Sequence, residues 1–109
     1  LLIILVEDII AVNNLDEILE VDNIDVFFVA PSDLAASMNL IGQLDHPDVV
    51  ATREAAIKKI VESGRAAGTL TSNDNVAHFT NMGVRFVMTS VGPWIDTGAA
   101  DFKSAGGIA

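Results

Sequence analysis

At 109 residues, half of them hydrophobic and 19% charged, the chain has the composition of one core-forming domain and not of a disordered segment. A formal net charge of −9 argues against partners such as nucleic acid or an anionic membrane surface. The lack of cysteine excludes disulfides and thiolate metal sites and fits a reducing, cytoplasmic location, and no stretch approaches the roughly 20 apolar residues that span a bilayer.

Leu1 to Val6 is a short apolar run that predicts a buried strand. It lacks a basic lead-in and runs straight into Glu7, so it reads as an interior strand missing its upstream sequence and not as a signal peptide. Asp8 to Val21 carries Ile9, Val12, Leu15, Ile18 and Leu19 at spacings of three and four, which predicts one amphipathic helix. A brief turn at 21–23 leads into a second strand, 24–29. Ser32 or Asp33 is then expected to cap a short helix running towards Leu40, and 42–45 reads as a loop. Pro47 suits the first turn of a helix over 47–63, expected to bury Val50, Ala55, Ile57, Ile60 and Val61 and to stop at Gly64. Residues 66–71 make a weak third strand. Asn73 or Asp74 caps a helix through Met82, and 84–91 is a fourth strand. Gly92-Pro93 then breaks into a last helical segment, 94–105.

Four βα units in succession predict an α/β fold with a parallel sheet. A TIM (β/α)₈ barrel needs eight such units and about 250 residues, so four supply half of one. A free half-barrel would leave two apolar strand edges unpaired. A four-stranded doubly wound sheet is the structural alternative, although no Gly-rich phosphate loop follows any strand.

Glu7 ends the first strand, and Asp33 lies just past the second in Ala-Pro-Ser-Asp-Leu. In a βαβ unit both strands end on the same side of the sheet, about 4.8 Å apart when adjacent. The two carboxylates can therefore converge on one divalent cation, with metal–oxygen distances of about 2.0–2.2 Å. Asp33 competes with a plain capping role, which Ser32 could take over. Asp8 reads as a first-turn residue favoured by the helix dipole. His46, in a loop before Pro47, reads as structural, and His78 as a surface helix residue. Arg65 and Arg85 fall on the N-terminal side of strands, where barrel residues serve stability. Trp94 reads as packing, with a lesser chance that it joins Leu70 and Val91 at the mouth of a site.

The blocks Val6-Glu7, Ala11 to Leu19 and Ile24 to Ser37 resemble the HpcH/HpaI aldolase family. The likeness continues through His46-Pro47-Asp48-Val49, Gly64 to Gly68 and Met82 to Val87, and corresponds to the C-terminal half of the family barrel. The resemblance implies that residues 1–109 are a single partial domain of a class II aldolase. Such an enzyme reversibly cleaves 4-hydroxy-2-oxo acids to pyruvate and an aldehyde through a metal-stabilised enolate. It implies Glu7 and Asp33 as ligands of Mg²⁺, Mn²⁺ or Co²⁺. Backbone around Ser32 and Asp33 would bind the oxo-acid carboxylate, a role helix-start N–H groups suit. The catalytic His and an Arg would come from the N-terminal half and are not among these residues. Trimers or hexamers, with 94–105 packed on a neighbour, are also implied.

The chain departs from the family pattern at three places: Leu5 replaces a common Gln, Ala30 a usual Gly, and Val91-Gly92-Pro93-Trp94 a frequent Val-Gly-Val-Asp. These bear on substrate choice more than on metal binding. Two alternatives stay open: an acyl-CoA lyase related to the citrate lyase β subunit, and a non-catalytic metal-binding half-barrel that assembles with a partner.

Overall fold

The computed structural model describes residues 1–108. Its elements run β1 (Ile3–Val6), α1 (Ile9–Asn13), α2 (Leu15–Leu19), β2 (Val26–Val29), α3 (Pro31–Ser37), α4 (Pro47–Glu62), β3 (Ala67–Leu70), α5 (Val76–Asn81), β4 (Phe86–Met88) and α6 (Gly92–Ala105). The strands form one parallel sheet in sequential order, β1-β2-β3-β4.

The two faces of the sheet differ. Val6, Phe27, Val29 and Ala67 pack against Leu15, Leu34, Ile57, Ile60 and Phe79, with Ala11 and Val12 alongside. The helices α1 to α5 thus all cover the same face. A doubly wound sheet needs helices on both faces, so that alternative falls and the barrel-like winding stands. On the other face Leu5, Phe28, Gly68 and Phe86 share one register row. Phe28 meets Phe86 edge to face, with centroids 6.2 Å apart, across Gly68. Leu5 and Met88 on this face are about half exposed.

Several local expectations shift. The single helix over 8–21 is two short helices that join at Asn14 (φ −102°, ψ 17°). The Asn14 N–H is shared between the carbonyls of Ile10 and Ala11, a bifurcation typical of a helix end. Asn13-Asn14 competes with regular helix there. In α4 the buried stripe is Val49, Ala56, Ile57 and Ile60, so Val50 and Ala55 give way to their neighbours and Val61 is only partly buried. The fourth strand keeps only three residues, and the last helix starts at Gly92, with Pro93 in its first turn where no N–H is needed.

Candidate metal centre at the C-terminal edge of the sheet

Glu7 lies one residue past β1. Alternation assigns it to the face that carries Leu5, and the register carried two residues beyond the Leu5 row brings Glu7 level with Ala30, Leu70 and Met88. Two local devices fix the chain here. Asp8 caps α1 by accepting from the Ile10 N–H at 2.7 Å. Ser37 Oγ, on α3, accepts from the Ile9 N–H at 3.0 Å while donating to the Leu34 carbonyl at 2.8 Å. The Glu7-Asp8 turn is thereby pinned to the helix that carries Asp33.

The cap of α3 corrects the sequence expectation. Ala30 is the N-cap, Pro31 opens the helix, and no side chain caps it. Neither Ser32 nor Asp33 does so, because the helix already starts at Pro31, two residues before the start a Ser32 cap would give, which places both inside the first turn. The first intrahelical bond runs from the Leu34 N–H to the Ala30 carbonyl, so the Ser32 and Asp33 N–H groups have no intrahelical acceptor. The carboxylates of Glu7 and Asp33 enter no side-chain hydrogen bond or ion pair among the described residues. Asp33 is exposed and Glu7 partly so.

Two uncommitted carboxylates fit a Mg²⁺-type ion, which takes one or two such ligands and keeps the remaining octahedral positions for water and substrate. Among the described residues no cluster of three or more His, Asp or Glu could hold a metal. A closed site made wholly of protein ligands is therefore not built here.

Leu70 ends β3 and lines a cavity of about 300 Å³ together with Trp94, Ser72 and Thr89. The Trp94 indole N–H donates to Asn73 Oδ1 at 3.1 Å. Val91, the N-cap of α6, stays outside that lining and is exposed. His46 is structural: its Nδ1 accepts from the Asp48 N–H and caps α4. His78 is exposed and pairs with Glu54 at 2.8 Å. Arg65 stacks over the Phe27 ring and donates to the Val21 carbonyl on the N-terminal side of the sheet.

Sequence reasoning passed over Arg53. Its guanidinium stacks on Phe79, 4.0 Å from the centroid, and donates to Thr69 Oγ1 and the Leu70 carbonyl. Burial pulls its pKa down to about 10, against an opposing rise from the Glu54 charge, so it stays cationic at neutral pH. The signal was present, because position 53 continues the inward stripe of Val49, Ala56, Ile57 and Ile60 at steps of three and four.

The HpcH/HpaI aldolase/citrate lyase family matches residues 1–92. This chain belongs to that family. It is similar to a hydroxypyruvate/pyruvate aldolase of Cupriavidus necator, 43% identical over 100 residues, which cover 91% of this chain and 37% of the relative. A 4-hydroxy-2-oxo-heptane-1,7-dioate aldolase of Escherichia coli is 38% identical over 96 residues, covering 87% of this chain and 37% of the relative. Among solved structures, an HpcH/HpaI aldolase/citrate lyase family protein from Burkholderia cenocepacia superposes with a TM-score of 0.84 at 25% identity, over 94% of this chain and 41% of that one. An HpcH/HpaI aldolase from Desulfitobacterium hafniense gives 0.78 at 23% identity, over 93% and 42%. The chain thus spans little more than a third of these curated relatives and about two fifths of these structures. Its four parallel strands and one-sided helices correspond to roughly half of the family's TIM-barrel-like fold. No helix among the described residues is long and apolar enough to cross a membrane.

Proposed function

We propose that residues 1–109 are the C-terminal, metal-holding half-barrel of a class II aldolase that reversibly cleaves 4-hydroxy-2-oxo acids to pyruvate and an aldehyde. One observation carries this reading. The register of β1 and β2 brings Glu7 level with Ala30, the residue from which the Asp33 turn starts, and neither carboxylate has a side-chain hydrogen bond or ion pair among the described residues. Relatives named for pyruvate and 4-hydroxy-2-oxo acid aldolases support the reaction class.

In this reading Glu7 and Asp33 hold Mg²⁺, Mn²⁺ or Co²⁺. The bound ion supplies a Lewis acid that polarises the ketone oxygen and offsets enolate charge. The free N–H groups of Ser32 and Asp33 receive the oxo-acid carboxylate, which the start of α3 favours electrostatically. Pro31 contributes no competing N–H and fixes that first turn. Leu70 shapes the apolar side of the mouth. Val91 joins it only if a neighbouring chain or element folds over α6. The base that takes the 4-hydroxyl proton comes from residues outside this chain, as does the Arg facing the enolate.

Val91, Ile95 and Phe102 are exposed apolar residues at helical spacing on and before α6, which supports a homo-oligomer in which this helix packs on a neighbour. The deciding assay follows pyruvate release from 4-hydroxy-2-oxo acids by the family-length polypeptide containing this sequence, with and without EDTA. Activity lost to EDTA and restored by Mg²⁺ or Mn²⁺ supports the reading. Activity that ignores EDTA contradicts it, and turnover only with acyl-CoA thioesters transfers the chain to the citrate lyase branch.

A further inference from the structure

We propose that a half-open cavity of about 400 Å³ beneath α4 and α5 is a second binding site, built for a small monocarboxylate with a short aliphatic tail. Arg53 and Phe79 line it from the helix-covered side of β3, and it borders the proposed metal site at Pro31 and Leu70, sharing Leu70, Thr71 and Ser72 with the cavity beside Trp94.

Arg53 is the anchor. Its Nε and Nη2 donate to Thr69 and to the Leu70 carbonyl, while Nη1 has no protein acceptor among the described residues. Phe79 covers one face of the guanidinium. No carboxylate lies within ion-pairing distance among the described residues. The result is a cation held rigidly at the cavity wall, with one edge still able to donate. With Nε and Nη2 committed to Thr69 and Leu70, Nη1 is left to give a charge-assisted hydrogen bond to one carboxylate.

Asn75 supplies a second donor. Its Oδ1 accepts from the Ser72 N–H at 2.8 Å, which leaves Nδ2 free to donate. Leu44, Val50 and Phe79 give the cavity an apolar wall for an alkyl tail. Asp45 and Glu54 also line it, and Glu54 is turned onto His78 at 2.8 Å. Those two acids oppose a multiply charged anion far more than a single carboxylate. The volume sits in the lower part of the range for small-molecule pockets.

The test titrates butyrate into the ¹⁵N-labelled chain in EDTA, which removes any contribution from a metal at Glu7 and Asp33. The proposal predicts saturable shifts of the Arg53 Nε–H and of the amides of 71–75, with the amides around Glu7 and Asp33 unmoved. Asn75→Asp keeps the acceptor for Ser72 but adds a negative charge, so it weakens binding by about tenfold or more, as does Arg53→Gln. Inorganic phosphate binds about tenfold more weakly than butyrate. Absent shifts at Arg53 and 71–75, or an unchanged titration in folded Asn75→Asp, overturn the proposal. Phosphate binding as tightly as butyrate overturns the monocarboxylate assignment.

Discussion

Arg53 donates from both Nε and Nη2 to the single hydroxyl oxygen of Thr69, at 3.0 and 2.9 Å, and that hydroxyl in turn donates to the Val29 carbonyl at 2.8 Å. One buried threonine therefore ties α4, β3 and the end of β2 together, directly behind the turn that carries Asp33. Thr69 is completely buried, so its hydroxyl has no water to fall back on.

Thr69→Val keeps the shape and removes the hydroxyl. It strands two donors of a partly buried cation and one backbone carbonyl, and is expected to cost about 1–3 kcal/mol. Urea unfolding of the variant checks this through its midpoint at unchanged slope. A midpoint equal to the parent's would mean the relay carries no net stability.

Much of this fold was legible because apolar β-branched runs and three-four spacing report burial directly. The runs 1–6 and 24–29 became β1 and β2, and their parallel pairing, expected from the βαβ pattern, brings Glu7 and Ala30 to one edge. What escaped had two sources, local competition at helix ends and one contact distant in sequence. The break at Asn14 arises where two helical registers meet. The α3 cap turned on Pro31 starting the helix at once, which displaced Ser32 from the cap position. Arg53 was passed over because a charged residue on a helix ordinarily faces water, and its role appears only when Thr69 and Phe79 meet it across the sheet.

Gly68 sits at the centre of the helix-free face, where a Cβ would lie 2.9 Å from Phe28 Cδ2, 3.0 Å from Val26 Cγ1 and 3.1 Å from the Phe86 carbonyl oxygen. Gly68→Ala should therefore destabilise by about 1–3 kcal/mol, since packed rings and strand backbone must shift. Thermal melting against the parent reads this directly. A neutral or stabilising result would show that the Phe28–Phe86 contact is slack.

Leu15 is the one buried residue of the two short helices between β1 and β2, and it is fully enclosed. Leu15→Ala is expected to cost about 3 kcal/mol through lost transfer energy and a residual cavity. By comparison, Lys59→Ala removes only the exposed ion pair with Asp16 and should cost less than about 1 kcal/mol. Paired denaturation curves test the ratio, and equal losses would contradict the assignment of Leu15 as the anchor.

Calorimetric titration of Mn²⁺ into the chain and into Glu7→Gln and Asp33→Asn tests most directly whether the two carboxylates share one ion. Among the described residues neither side chain makes a hydrogen bond, so both variants should stay folded within about 1 kcal/mol of the parent, the loss at Asp33 being its first-turn charge in α3. The account predicts one ion per chain and a loss of affinity of about tenfold or more in each variant. Parent-like Mn²⁺ binding in both folded variants would contradict it.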